Sequence, residues 1–153
     1  MSKNLDDAVA TGPLVKSVNV RVGVERAFEL FTDRMTDWWP LATHSVGGDT
    51  ATSVSIAARI GGEIVETMAD GRTSVWGTVT DWEPPALVAF TWHPGRQAGE
   101  ATRVEVRFTV DGDRTRVELT HTGWDARVDV GVRASYDTGW EHVLARYTEH
   151  VAG

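Results

Sequence analysis

The segment Tyr136–Val151 has the sequence YDTGWEHVLARYTEHV. Its apolar side chains recur at the spacing of one helix face, at Tyr136, Trp140, Val143, Leu144, Tyr147 and Val151. The opposite face is polar or small, with Glu141, His142, Ala145, Arg146 and Glu149. The pattern predicts an amphipathic helix, whose start stays open between a capping box at Thr138, Ser135 and residues near Val132.

The preceding ninety residues alternate in the manner of strands, so we expect the helix to lie across a sheet. The predicted strands are 14–22, 53–59, 63–68, 73–82, 87–92, 103–110 and 115–121. Asp70-Gly71 is the strongest hairpin signal in the chain. In the last hairpin one face is apolar and the other charged, so the sheet needs an apolar partner on one side, which the helix supplies.

Two short helical segments follow the first strand. Val24, Ala27, Phe28 and Phe31 stand at helical spacing, which predicts a helix from Val24 to about Thr32. A second helix or turn is expected over 33–38, before Trp39-Pro40 ends the region. Residues 1–12 lack periodicity and are predicted to be a flexible leader, followed by a single domain over 13–153.

The composition excludes several classes of function. With 153 residues, a net charge of -7 and a pI near 5.1, the chain lacks the clustered basic face of a nucleic-acid binder. It has no cysteine, which excludes disulfides and thiolate chemistry and fits a reducing cytoplasm. No apolar stretch approaches the roughly 20 residues of a membrane span. We therefore expect a cytoplasmic protein without a metal or other cofactor.

Standard catalytic motifs are missing, which leaves the histidines and a few carboxylates as candidates. His121 shares the parity of Val117 and Leu119 and should point to the inner face of the sheet. Such a histidine is usually satisfied by a carbonyl or water, and ligand contact or proton transfer is the alternative. Either Glu63 or Glu66 could also point inward, which periodicity does not decide.

The other four histidines are expected at the surface. His142 and His150 belong to the polar side of the last helix, too far apart along it to share a metal ion. His44 and His93 fall in loops, where the alternative to plain surface is the rim of a pocket.

Seven tryptophans form the most distinctive set. Trp39, Trp92, Trp124 and Trp140 fall at ends of elements or on the terminal helix, where they could border an apolar cavity with indole N–H groups as polar handles. The alternative is that they are simply core. Parity places Trp76 and Trp82 on the outer face, shielded by loops or a partner chain.

Several motifs, taken in order, resemble the SRPBCC or START-like superfamily, and most closely its "activator of heat-shock-protein ATPase homologue-like" branch. The motifs are Ala27–Asp33, Trp38-Trp39-Pro40, Gly61-Gly62, Trp76-Gly77, Trp82–Pro85, Leu87–Trp92, Thr115–His121 with Gly123-Trp124, and Gly139-Trp140 with Leu144. The resemblance implies an α+β helix-grip fold, in which a curved six- or seven-stranded antiparallel sheet surrounds a long C-terminal helix.

The same resemblance implies a cavity between helix and sheet that binds lipids, sterols, polyketides or hormones in relatives. It supplies no shared catalytic residues, so the catalytic set is unknown. The positions it places near the cavity are Trp39, Trp92, His121, Trp124 and Trp140. The family name comes from eukaryotic chaperone activators with an additional N-terminal domain, which this sequence does not show, so we do not expect a chaperone partner.

We expect the protein to bind a small hydrophobic molecule, aromatic or polycyclic, in that cavity. One alternative is an enzyme of the polyketide cyclase or dehydratase kind, with His121 as general acid or base. Another is a chaperone-associated interaction module in which side chains fill the cavity. Homodimerisation is left open.

Overall fold

A computed structural model of the protein describes residues 12–124 and 130–153. The predicted leader lies outside the described residues except for Gly12. The strands are β1 Leu14–Val20, β2 Ala51–Ile56, β3 Glu63–Met68, β4 Thr73–Glu83, β5 Leu87–Trp92, β6 Thr102–Asp111 and β7 Arg114–Thr122. The α-helices are α1 Val24–Thr32, α2 Met35–Trp38 and α3 Val130–Ala152, and short 3-10 turns cover Gly48–Thr50 and Ala98–Glu100.

The seven strands form one antiparallel sheet in the order β1-β7-β6-β5-β4-β3-β2. The sheet curls around α3, so the predicted α+β helix-grip fold is confirmed, with seven strands. The Asp70-Gly71 hairpin is also confirmed, since Gly71 has a φ of 89°, which a glycine adopts without strain.

Helix α3 is held to the sheet by apolar burial and by two polar attachments. Trp140, Val143, Leu144 and Tyr147 are buried as predicted, and each side chain of this size contributes roughly 1.5–3 kcal/mol when removed from water. The Tyr147 hydroxyl donates to the carbonyl of Ala27 in α1 at 2.7 Å. Lys16 of β1 forms ion pairs with two carboxylates of α3, those of Asp137 and Glu141.

Two bulges in β4 overturn the prediction for Trp76 and Trp82. The pairing of β4 with β3 skips Trp76, and its pairing with β5 skips Thr80. Each extra residue shifts the strict alternation by one position, so side chains beyond it face the opposite side of the sheet from the one that parity predicts. Trp76 is consequently fully buried, and Trp82 packs edge-on against Phe28 at 5.1 Å between ring centroids. The expected outward orientation of these two tryptophans was wrong.

Candidate functional site

Four tryptophans from different elements meet at one end of the space between α3 and the sheet. Trp39 follows α2, Trp76 and Trp92 lie on neighbouring strands β4 and β5, and Trp140 lies on α3. Their ring centroids form a connected cluster with separations of 5.2 Å (Trp39–Trp76), 5.6 Å (Trp76–Trp92) and 5.3 Å (Trp92–Trp140). The four indoles form one continuous aromatic wall, each ring tilted or edge-on to its neighbours.

This aromatic wall borders a cavity of about 310 Å³. The remaining lining comes from the loop after Trp39, the turn after β5 and α3, through Thr43, His44, Ser45, Val46, Pro94, Gly95, Tyr136, Gly139 and Val143. Val46 is 46% exposed, which places the mouth of the cavity at that loop. A largely apolar cavity with few polar groups is the usual form of a small-molecule site.

Three of the four indole N–H groups in the wall already have acceptors. Trp39 Nε1 donates to the carbonyl of His44 at 2.7 Å, Trp76 Nε1 to Glu66 Oε1 at 2.9 Å, and Trp140 Nε1 to His121 Nδ1 at 2.9 Å. Trp92 differs, because its Nε1 is buried and has no partner among the residues that the structure describes.

Tyr136 is the polar neighbour of Trp92 on the helix side. Its hydroxyl lies beside the Trp92 indole nitrogen without completing a hydrogen bond to it. Burial raises the pKa of the Tyr136 phenol, an effect partly offset by the positive charge of Arg96 and by the Trp92 N–H. At neutral pH the side chain is therefore an uncharged hydroxyl that can donate.

His121 lies behind the aromatic wall at the centre of a directed hydrogen-bond chain. The indole of Trp140 can only donate, so Nδ1 of His121 accepts, and the neutral ring carries its proton on Nε2. Nε2 then donates to Thr102 Oγ1 at 2.6 Å, and that hydroxyl donates to the carbonyl of Trp92 at 3.3 Å. Burial, and secondarily Arg133, lowers the pKa of His121 to about 3. His121 is thus a neutral, fully satisfied histidine.

Glu66 settles the question of the inward carboxylate. It is fully buried, whereas Glu63 is exposed. Its oxygens accept the backbone N–H groups of Val46 and Gly47 at 2.9 and 2.8 Å, besides the indole of Trp76. One carboxylate therefore fixes both a wall residue and the loop at the mouth, and three N–H donors offset part of the cost of burying it.

Two histidines meet beside the mouth. The rings of His44 and His142 stack at 5.0 Å between centroids, and Thr43 Oγ1 lies 2.7 Å from His44 Nδ1. Burial, with a smaller contribution from His142, lowers the pKa of His44. The loop lies against α3 here, and a Cβ added at Gly139 would stand 3.9 Å from the His44 ring, an ordinary van der Waals contact.

The predicted site residues divide into two groups. Trp39, Trp92 and Trp140 line the cavity. His121 and Trp124 do not line it; they pack against each other at 4.3 Å behind the wall, and Trp124 Nε1 donates to the carbonyl of His121.

Among the large aromatic side chains of the lining, sequence reasoning missed Trp76 and Tyr136. Trp76 was assigned to the wrong face, and Tyr136 was identified only as a helix residue. The apolar position of Tyr136 one turn before Trp140 was the available signal, because residues four apart share a helix face.

In the described parts of the chain, no three or more histidine, aspartate or glutamate side chains come close enough together to hold a metal ion. Among the described helices, none is long and apolar enough to span a bilayer.

Comparison with protein families gives one match over most of the sequence. The model of the family described as "Activator of Hsp90 ATPase homolog 1-like protein" matches residues 21–152. No curated protein matches the sequence.

Solved structures with the same fold come from several bacteria. CalU16 from Micromonospora echinospora is 18% identical with a TM-score of 0.65, and the match covers 91% of this chain and 75% of that one. The Aha1 dimer from Colwellia psychrerythraea, a solution structure, is 17% identical with a TM-score of 0.69, covering 92% and 96%. An anthrahydroquino-gama-pyrone synthase, Txn09, complexed with SUM, is 29% identical with a TM-score of 0.61, covering 90% and 95%.

Proposed function

Because the chain belongs to the family of Activator of Hsp90 ATPase homolog 1-like proteins, we propose that it uses this fold to bind a small apolar, aromatic compound between α3 and the sheet. The observation that carries the proposal is the cavity of about 310 Å³ with four tryptophans in its wall. Flat indole faces favour flat aromatic ligands, which bury a large area at little conformational cost. We assign ligand contact to Trp39, Trp76, Trp92, Tyr136 and Trp140.

A second candidate is catalysis on a polycyclic substrate, favoured by the 29% identity to a synthase that was solved as a complex. His121 is a poor general base for such a reaction, because both ring nitrogens are engaged and its pKa is about 3. His44 is the better candidate, since it lines the cavity and its lowered pKa keeps the imidazole neutral.

The binding proposal is tested by titration with N-phenyl-1-naphthylamine, a neutral aromatic probe that fluoresces in apolar surroundings. Excitation of the tryptophans should give saturable quenching of their emission and sensitised emission from the probe, because the bound probe lies against the aromatic wall. Absence of saturable binding by this probe would contradict the proposal.

Gly139 provides a matched pair of variants for the same titration. Gly139→Ala adds a Cβ with only ordinary contact to His44 and should leave binding nearly unchanged. Gly139→Leu directs a larger side chain toward the lining and should weaken the probe by roughly tenfold or more, by the rule that 1.4 kcal/mol is a factor of ten. Both variants replace a helical glycine, so neither should lose helix stability. Equal probe binding by both would place the probe outside this cavity.

A further inference from the structure

The loop at the mouth of the cavity lies against α3 through a pair of histidines. This mouth loop, residues 40–47, contributes Thr43, His44, Ser45 and Val46 to the lining. The ring of His44 stacks on that of His142 of α3, with 5.0 Å between centroids and 21° between the ring planes. His44 also lies over Gly139, where an added Cβ would stand 3.9 Å from Nε2. The pair therefore bridges the loop and the helix.

The loop and the helix that this pair joins form two sides of the cavity. The α3 side of the lining consists of Tyr136, Gly139, Trp140 and Val143. The far end of the mouth loop is attached to β3, because Glu66 accepts the N–H groups of Val46 and Gly47. Separation of His44 from His142 would widen the mouth on the helix side, while Glu66 keeps the loop attached to the sheet.

The contact between the two rings depends on their charge. Burial, and secondarily His142, lowers the pKa of His44, so the closed arrangement favours an uncharged His44 ring. A histidine that is freely solvated, as in an open loop, has a pKa of about 6.5. The open arrangement therefore binds the additional proton in acid, and the closed one is fully stable above pH 6.5 and weakened as the pH falls below it. When both rings are charged, they also repel each other.

The other charged groups around the pair do not offset this repulsion. They are Asp137, Glu141 and Arg146 of α3, Glu66 of β3, and Arg96 of the turn after β5. Those on α3 form ion pairs with Lys16 or Glu149, and Glu66 is bound by three N–H donors. In the part of the chain that the structure describes, no carboxylate forms an ion pair with His44 or His142. Thr43 Oγ1, which lies 2.7 Å from His44 Nδ1, can accept or donate, so that contact tolerates either protonation state.

From this arrangement we propose that the His44–His142 pair is a pH-sensitive latch, which holds the mouth loop against α3 at neutral pH and releases it, together with the bound ligand, in mild acid. The inference rests on the proposed binding function and adds regulation to the same cavity. His142 does not line the cavity. It is a positioning residue that acts on the ligand through His44 and the mouth loop.

The test measures how fast N-phenyl-1-naphthylamine leaves the protein at pH values from 7.5 to 5.5. Stopped-flow mixing of the loaded protein with excess phosphatidylcholine vesicles traps the released probe, whose diarylamine nitrogen stays uncharged over this range. The probe leaves through the open arrangement, so its release rate follows the population of that arrangement. Release from the wild-type protein should accelerate roughly 3- to 10-fold toward pH 5.5, the factor expected for two like charges at this distance in a largely aqueous setting.

Two histidine variants of α3 form a matched pair for this measurement. His142→Phe keeps an aromatic ring against His44 but cannot be charged, so its acceleration in acid should be clearly smaller than that of the wild type. His150→Phe removes a histidine eight residues further along the same helix and outside the cavity lining. Its acceleration should equal that of the wild type. The amide signals of the mouth loop in ¹⁵N NMR spectra should shift with the same midpoint as the release rate, and less in His142→Phe.

The outcomes separate the latch from the binding function. A release rate that does not change with pH, or that rises equally in the wild type and in His142→Phe, would overturn the latch and leave apolar binding intact. An acceleration that coincides with loss of the near-ultraviolet circular dichroism signal would also overturn it, by assigning the release to global unfolding. Failure of the probe to bind at pH 7.5 would overturn the binding function itself.

Discussion

At the scale of single residues, His121 joins the terminal helix to the sheet. It accepts from Trp140 of α3 and hydrogen-bonds to Thr102 of β6. These bonds require the neutral ring, because a proton on Nδ1 would face the indole N–H of Trp140. The same bonds hold the side chain of Trp140 and, through Thr102, the backbone of Trp92, so a residue outside the cavity determines part of its shape.

The neutral state of His121 makes stability depend on pH. Its pKa is about 3 in the folded protein against about 6.5 in the unfolded chain. Between these values the unfolded state binds the additional proton, so stability is complete above pH 6.5 and falls as the pH is lowered toward 3. In this window, we expect protonation of His121 in the unfolded chain to lower the free energy of unfolding by about 1.4 kcal/mol for each pH unit of acidification.

Urea unfolding at pH 4, 5, 6 and 7 measures this dependence. His121→Gln keeps a donor toward Thr102 and His121→Asn keeps an acceptor toward Trp140, and neither titrates. Both should show a shallower slope than the wild type between pH 4 and 6, whatever their stability at pH 7. A slope unchanged by both substitutions would mean that other groups cause the acid sensitivity.

The sequence predicted the inward direction of His121 but not its role. Parity with Val117 and Leu119 was enough for the direction, because β7 runs without a bulge. The acceptors and donors come from residues 19 positions away on either side, Thr102 and Trp140. Contacts between distant segments depend on how the elements pack, which local patterns do not contain.

At the scale of elements, strand β4 shows where the alternation of apolar and polar residues does not predict which side chains face inward. Its two bulges place Trp76 inward, against the parity that the sequence suggests. Gly77 was the available signal, since a glycine inside a strand often marks a bulge or a close approach. The approach is very close, because a Cβ at Gly77 would lie 1.7 Å from the carbonyl oxygen of Thr91.

The loop at the cavity mouth depends on Glu66 of β3. Glu66→Gln replaces one oxygen by an NH₂ group, which must then face at least one of the three N–H donors. We expect a loss of about 1–3 kcal/mol in denaturant melts and faster amide hydrogen exchange at Val46 and Gly47. The exposed Glu63 of the same strand is the matched control, and Glu63→Gln should stay within about 0.5 kcal/mol of wild type. Equal effects would show that Glu66 does not anchor the loop.

Helix α3 depends on Trp140 for its attachment at the cavity end. Trp140 is 3% exposed, contacts Trp39 and Trp92, and donates to His121. Trp140→Ala removes the ring and leaves His121 Nδ1 without its donor, so we expect a loss of about 3–5 kcal/mol. Arg146→Ala, on the exposed side of the same helix, should cost less than about 1 kcal/mol, since its partner is a surface carboxylate. A loss below about 1 kcal/mol for Trp140→Ala in urea melts would mean that the helix is held elsewhere.

At the scale of the whole molecule, the space between helix and sheet has a filled end and an open end. At the filled end, Phe31 contacts Trp38, Phe108 and Tyr147 at 5.1–5.7 Å between centroids. At the open end, four indoles surround the cavity instead of closing it. The apolar positions of both ends look alike in the sequence, because each is simply a large side chain on an inward face. Which end is filled depends on the summed volumes and directions of side chains from several elements.

This division predicts that stability and ligand binding can be changed separately. A probe that binds only the folded state raises its stability by about 2.7 kcal/mol at a free concentration of one hundred times its Kd. For a domain of this size that corresponds to a rise of roughly 5–10 °C in Tm, at 2–4 °C per kcal/mol. Phe31→Leu, in the filled end, should lower the Tm of the free protein by creating a small void. The rise in Tm with N-phenyl-1-naphthylamine should nevertheless equal that of the wild type, because the aromatic contacts of Phe31 are with Trp38, Phe108 and Tyr147 and not with the four wall tryptophans.

Gly139→Leu should behave in the opposite way, with a Tm of the free protein at or above the wild-type value and little rise on adding the probe. Differential scanning calorimetry of the three proteins, with and without probe, distinguishes these patterns. If Phe31→Leu reduced the rise as strongly as Gly139→Leu, the two ends would be energetically coupled. The open end would then be a loosely packed part of a single core. A cavity with its own rigid wall would instead keep its affinity for the probe when a side chain at the filled end is replaced.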